Sequence, residues 1–287
     1  MHSFETKARA KINLSLDVMG KRPDGYHTVK MIMQSIELHD KVFIEVVDGG
    51  IEVTSDNCWI PSGSENIAFK AAKLIIDRFG IKKGIKIRIE KRIPVAAGLA
   101  GGSSDAASVL KGINQMFALD ISETELMAMG KQIGADVPYC MKGGTMLAEG
   151  IGELLTELTP VQDVNILLVK PKIGVSTAWV YKNLDFEDII DRPDTEALIS
   201  AIQGGRLDAL AKGMKNVLET VTIPKYGVIR EIKTKLLELG AVGSMMSGSG
   251  PTVFGIFNNL ESMQNAFDKI KSDRWECFLT KTVCGGI

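Results

Sequence analysis

The residues Arg92 to Leu110, RIPVAAGLAGGSSDAASVL, constrain this chain more than any other stretch. They follow GIKIRIE, in which Ile85, Ile87 and Ile89 alternate with Lys86, Arg88 and Glu90, the period of a strand. They lead into SSDAASVLKGINQMF, which has helical spacing and Ser103 or Ser104 as the natural N-cap. Glycine is the residue that loses most freedom on folding, so Gly98, Gly101 and Gly102 at this junction mark a place where something approaches the backbone closely. A glycine loop between a strand and a helix gathers unpaired N–H groups and the positive end of the helix dipole, which suits an anion and, in a cell, a phosphate. Close packing of the helix on a sheet is the other reading of Gly101-Gly102, and the residues alone leave both open. A P-loop is excluded because Ser103-Ser104-Asp105, not Lys-Ser/Thr, follows the last glycine. The dinucleotide fingerprint is absent from the loop, since Ala100 and Ser103 stand where glycines are required. HRD and DFG occur nowhere, which removes the protein-kinase set.

The length of 287 residues allows one large or two modest domains with a core that needs no staples. A formal net charge of -1, with 24% charged and 45% apolar residues, describes an ordinary globular chain. Nucleic acid and anionic membranes are usually met with a basic excess, so neither is expected as a partner. No apolar run is long enough to span a bilayer, and the first twenty residues lack the apolar core of a signal peptide. Cys58, Cys140, Cys277 and Cys284 are scattered without CxxC spacing, so no structural zinc is expected and a cytoplasmic protein with reduced thiols is.

In KINLSLDV the set Ile12, Leu14, Leu16 and Val18 alternates with Lys11, Asn13, Ser15 and Asp17, as in a strand with one buried face; Lys11 and Asn13 therefore project together. RPDGYH follows with turn chemistry at Pro23-Asp24-Gly25. VFIEVVDGGIEVTS reads as two strands joined at Asp48-Gly49-Gly50, and NIAFKAAKLIIDRFG as a helix stopped by Gly80. Ser122 and Glu125 form a capping box for a helix running to Gly134, with Ala135 to Pro138 as a non-helical exit. Gly143 to Leu158 reads as a strand pair broken at Gly150 to Gly152. The pattern resets around Thr159 to Asp163, giving domains 1–158 and 159–287. Beyond it come strand VNILLV and helices near Val175 to Lys182, Asp194 to Gln203 and Arg206 to Thr220. Without those three helices the second half runs βαββαβ, a ferredoxin-like split βαβ arrangement.

PVAAGLAGGSSDAA, from Pro94 to Ala107, resembles the ATP-binding motif of the GHMP kinases, a superfamily of small-molecule kinases. AKINLSLDVMGKRPDGYHTV near the start, IGADVPYCMKGGTMLAEGIGE and MSGSGPTVFGIF match the same group in the same order. The match is strongest before Gly152 and weak from about Asp185 to Thr222. It implies a two-domain α+β fold, with a ribosomal-protein-like N-terminal domain and a ferredoxin-like C-terminal one. It also implies ATP held by Pro94, Val95, Ala96, Ala97, Gly98, Leu99, Ala100, Gly101, Gly102, Ser103 and Ser104. The family commonly has a further glycine where Ala100 stands, so Ala100 either has ordinary φ or strains the loop.

Read from the residues alone, Lys11 is a solvated strand lysine and Asp136 a turn or cap residue. The resemblance instead faces both toward a substrate hydroxyl, with Asp136 as general base and Lys11 stabilising charge on the attacking oxygen. Mg2+ should accompany ATP; its ligands are not legible, though Ser103 or Ser104 could supply a hydroxyl. Family members most like this chain act on a cytidine diphosphate alcohol. The resemblance then puts Tyr26 and Tyr181 on the two faces of the base, His27 on its edge, and Asn13 near the substrate hydroxyls. Thr177, four residues before Tyr181, shares its helix face. A kinase for another small alcohol, of homoserine or mevalonate type, a non-catalytic nucleotide-binding regulator and an RNA-binding protein are the alternatives. The Tyr26-His27 turn, the presence of both Lys11 and Asp136, and the absence of a basic excess speak against them in that order. Oligomeric state is not legible.

Overall fold

A computed structural model describes residues 2–287. The first sheet is built from β1 (Ser3–Lys21), β2 (His27–Val47), β3 (Ile51–Ser55), β4 (Gly84–Glu90), β5 (Thr145–Glu149) and β6 (Leu154–Glu157). β2 is its spine, pairing antiparallel with β1 on one edge and with β4 and β5 on the other. The hairpin expected at Asp48-Gly49-Gly50 does not form: β4 lies between β2 and β3, and β3 runs parallel to β4. Gly84 opens β4 against the backbones of Gly49 and Gly50, where a Cβ would collide. That contact comes from residues distant in sequence, so local turn chemistry could not announce it.

β1 departs from the one-face expectation as well. From Ala10 to Val18 every residue is buried. Leu16 and Val18 join one core cluster, with Ile75, Ile87 and Leu110 among its members; Ile12 and Leu14 join another with Ile32, Ile36, Ile166, Leu168 and Phe254, which includes residues of both sheets. Register shifts between Arg9 and Lys11 and between Asn13 and Ser15 bracket the polar pair, and such bulges re-aim side chains.

Helix α1 (Ile67–Phe79) is capped by Asn66, whose side chain accepts from Ala68 N, and ends at Gly80 with φ 62°. Ala68, Ala71, Ala72 and Ile75 form its buried stripe. Helix α2 (Gly101–Met116) packs on α1 and β1. Its N-cap is Ala100 rather than Ser103 or Ser104, and no side chain caps it. In α3 (Glu123–Ile133), Ser122 caps as expected, accepting from Glu125 N. Residues after Asp136, expected to be non-helical, form the short helix α4 (Val137–Lys142). Pro138 sits in its first turn, where a missing N–H costs nothing.

The second sheet contains β7 (Asn165–Pro171), followed by α5 (Thr177–Lys182), α6 (Thr195–Gln203), α7 (Leu207–Gly213), α8 (Glu219–Lys225) and α9 (Val228–Glu238). Then come β8 (Gly243–Met246), β9 (Val253–Phe257), α10 (Leu260–Ile270) and β10 (Trp275–Lys281). The strand order β10-β7-β9-β8, antiparallel throughout, is the ferredoxin-like split βαβ once α5 to α8 are set aside. The single helix expected from Arg206 to Thr220 is two, because Asn216 between them bridges to Leu16 of β1. The chain end crosses back, Thr282 bridging to Ile36 and Val283 N donating to Ser35 O.

Candidate active site

A cleft of about 1150 Å³ opens where the Pro94–Ser103 loop, the RPDGYH turn, α5 and the residues before α4 converge. The loop forms its floor. Ala96, Gly98 and Ala100 all have positive φ, at 51°, 73° and 57°. Ala100 therefore occupies the left-handed region that glycine serves without strain. The first intrahelical bond of α2 runs from Ser104 N to Ala100 O, which leaves the N–H groups of Gly101, Gly102 and Ser103 without helix partners at the cleft. A residue larger than glycine at position 98 would collide with the Ser247 carbonyl oxygen of the MSGSGP segment. Ser247 Oγ also donates to Gly98 O at 3.0 Å, and Lys11 N donates to Leu99 O at 3.1 Å. The loop is thus held from the second domain and from β1 at once.

Lys11 and Asp136 meet in this cleft. Lys11 Nζ lies 3.8 Å from Asp136 Oδ2 and donates to Asn13 Oδ1 at 2.8 Å. Asp136 stands at the N-cap position of α4, yet its carboxylate makes no capping bond and remains available to the cleft. Asn13 is buried behind Lys11 and does not line the cleft; its amide reaches Met31 Sδ at 3.2 Å. Ser103 lines the cleft, whereas Ser104 is buried inside the first turn of α2.

At the other end, His27 packs on Tyr181 with ring centroids 5.1 Å apart and on Phe186 at 6.3 Å. Burial, and secondarily Lys21, lowers the His27 pKa from its ordinary value. Tyr181 is half-buried, and desolvation pushes its phenol upward. Tyr26 is exposed at the rim, and Thr177 Oγ1 bonds to Ser249 Oγ at 2.8 Å. Tyr26, His27, Thr177 and Tyr181 therefore line one region of the cleft.

Several residues with a part in the site carried no signal in the sequence. Lys91 lines the cleft and is sandwiched between the carboxylates of Asp40 and Asp105, the latter at 2.8 Å. Asp40 Oδ1 also accepts from Arg92 N at 2.5 Å and Ile93 N at 2.8 Å, so Asp40 of β2 and Asp105 of α2 together hold the entry of the loop. Burial pushes the Asp105 pKa up to about 7, with Lys91 opposing and Asp40 adding to the shift. Lys21 and Lys182 bring further positive charge to the cleft. Asp40 lies 51 residues from Lys91, and no local pattern links them.

Mg2+ bound with a nucleotide takes most of its ligands from phosphate and water and needs only one or two protein oxygens. Among the described residues no group of three or more His, Cys, Asp or Glu side chains converges as a dedicated cage. The cleft-facing Ser103 hydroxyl and the buried Ser104 hydroxyl, which has no hydrogen-bond partner, suit that modest demand. No helix among the described residues is long and apolar enough to cross a membrane.

A glycine loop on a strand-to-helix junction, held by a ferredoxin-like domain over one cleft, defines a two-domain α+β fold, and the chain belongs to the GHMP kinases. Residues 66–144 match the model of the GHMP kinase N-terminal domain and residues 198–277 that of the C-terminal domain. The chain is 62% identical over 283 residues, 99% of its length and 100% of the relative's, to 4-diphosphocytidyl-2-C-methyl-D-erythritol kinase of Acetivibrio thermocellus. A crystal structure of 4-(cytidine 5'-diphospho)-2C-methyl-D-erythritol kinase matches with a TM-score of 0.85 and 31% identity, over 99% of this chain and 100% of that one. Homoserine kinase from Cytophaga hutchinsonii shares the fold, with a TM-score of 0.78 at 18% identity over 99% of this chain and 96% of that one.

Proposed function

We propose that this chain transfers the γ-phosphoryl group of ATP to the 2-hydroxyl of 4-diphosphocytidyl-2-C-methyl-D-erythritol, giving the 2-phosphate and ADP in the non-mevalonate route to isoprenoids. The activity named for its full-length relatives supports the substrate, and the approach of Lys11 Nζ to within 3.8 Å of Asp136 Oδ2 beside the glycine loop supports the reaction. The loop N–H groups cradle the phosphates, and the positive end of the α2 dipole favours their charge. Asp136 orients the attacking hydroxyl and takes its proton as the oxygen bonds to the γ-phosphorus and ADP departs. Lys11 stabilises negative charge on that oxygen, and Asn13 holds the ammonium in place from behind. Mg2+, with Ser103 or Ser104 as its protein oxygen, neutralises charge on the phosphates when bound. The cytosine base sits among Tyr26, His27 and Tyr181, with Thr177 beside it. Residues 1–158 then supply the nucleotide loop and catalytic pair, and residues 159–287 supply Tyr181 and the clamp at Gly98. Four cysteines without disulfides suit a cytoplasmic setting.

ADP release coupled to a reporter enzyme, with the cytidylyl alcohol, homoserine and mevalonate compared side by side, tests the reading. Turnover stimulated strongly by the cytidylyl alcohol alone is the expected outcome. Preference for either of the other alcohols, or ATP hydrolysis indifferent to all three, would refute it.

A further inference from the structure

The turn between α7 and α8 carries a buried asparagine whose side chain is spent entirely on backbone. Asn216 Nδ2 donates to Met246 O at 2.9 Å and to Gly248 O at 2.8 Å, while Oδ1 accepts from Leu218 N at 3.0 Å. The same residue bridges to β1, flanked by Leu16 N to Lys215 O and Val217 N to Leu16 O, both 2.9 Å. Glu219, at the start of α8, takes Met246 N at 2.8 Å and pairs with Lys233. The segment so gripped reaches the nucleotide loop through Ser247 Oγ to Gly98 O, and Gly248 and Ser249 line the cleft. The Asn216 position therefore ties together three parts: the backbone around it bridges to the strand bearing Lys11, and its side chain holds the SGSG turn that reaches the loop at Gly98 through Ser247.

We propose that Asn216 is a positioning residue for phosphoryl transfer: it sets the height of the 246–249 turn against Gly98 and registers both with the strand that carries Lys11. That role rests on the phosphoryl-transfer reading above. Its physical basis is the two donated bonds. A carbonyl pair that loses its shared amide either stays unsatisfied in a buried site or moves, and movement carries Ser247 and Gly98 with it. Carboxamide and carboxylate have the same shape, so Asn216→Asp keeps the acceptor for Leu218 N and replaces the two donors with an oxygen that repels both carbonyls.

The test compares Asn216→Asp with Val217→Ala, a neighbour that is equally buried and whose backbone bridge to Leu16 survives the change. Asn216→Asp should lower kcat/KM for ATP by about 10-fold to 100-fold, the equivalent of two lost hydrogen bonds, while KM for the alcohol moves less than about 3-fold. Val217→Ala should lower the melting temperature and leave both parameters within about 2-fold of the parent. If the aspartate variant does not fold, Ser247→Ala at the far end of the same chain of contacts carries the prediction, with ATP affinity falling about 5-fold. Where both variants fold, their combination should cost less than the product of the single effects. Equilibrium binding of a fluorescent ATP analogue reads the loop without any alcohol, so it remains informative if the substrate assignment fails. Parent-like analogue binding in Asn216→Asp and Ser247→Ala, or a loss of activity that Val217→Ala reproduces in step with its melting temperature, would overturn the proposal.

Discussion

Lys11 Nζ stands 3.8 Å from Asp136 Oδ2, and the two side chains are not equally enclosed: that of Lys11 is 6% exposed, that of Asp136 31%. The ammonium is fixed from behind by Asn13, and the backbone N–H of Lys11 is anchored on Leu99 O, whereas the carboxylate faces the open cleft. A fixed cation beside an accessible carboxylate is the order that proton transfer from a bound alcohol requires, because the base must reach the substrate and the cation must not wander.

Asp136→Asn keeps the shape at the start of α4 and removes the proposed proton acceptor. Its kcat should fall by about 10²-fold to 10⁴-fold, the span expected of a positioned base. Since the side chain makes no capping bond, the melting temperature should barely move. Steady-state kinetics beside a thermal melt check both halves, and wild-type turnover would remove Asp136 from the mechanism.

Tyr181 should govern the alcohol and leave ATP alone. Stacking of a base on an aromatic ring contributes roughly 1 to 3 kcal/mol, so Tyr181→Ala should raise KM for the cytidylyl alcohol by about 5-fold to 150-fold. KM for ATP should stay within about 2-fold. An equal rise for both would place the base elsewhere.

Ala100 sits at φ 57° and ψ 27° at the N-cap of α2. Strain of about 1 kcal/mol or more is relieved by glycine, offset in part by roughly 0.4 to 1 kcal/mol of added freedom in the unfolded chain. Ala100→Gly should therefore be neutral or stabilising by about 0.5 kcal/mol. The same change at Ala128, an exposed position in α3, should cost about 1 kcal/mol. Urea titrations of the two variants give the comparison, and equal destabilisation would show that Ala100 carries no strain.

The carboxyl of Asp105 is raised from 3.8 to about 7, chiefly by desolvation. An acid held this way binds its proton more tightly folded than unfolded. Its contribution is complete below the unfolded value and is lost as pH rises through about 7. Melting temperatures between about pH 4 and 8 should thus decline more steeply in the parent than in Asp105→Asn. Identical slopes would mean that Asp105 is ionised throughout.

Residues close in sequence disclosed their structure well. Alternation marked β1 and β4, Gly80 ended α1, Ser122 opened α3, and the βαββαβ order of the second half was readable from the residues. The ordered motifs also disclosed the family, because a glycine loop, AKIN, GADVP and SGSGP have to coexist for one site to be built. Hidden from such reading were the contacts whose partners lie far apart: β4 entering between β2 and β3, Lys91 between Asp40 and Asp105, and Asn216 splitting an expected helix to reach Leu16. Ala100 shows the boundary between the two. Its identity was plain, but its positive φ is imposed by a loop held between Lys11 and Ser247, and no residue can report a conformation that its distant neighbours force upon it. Side-chain periodicity and capping arise from interactions within a few residues, so the sequence alone determined the elements and the chemistry available. Burial of both faces of β1, the register of the loop and the meeting of Lys11 with Asp136 depend on how two sheets pack, and only the tertiary structure decided them.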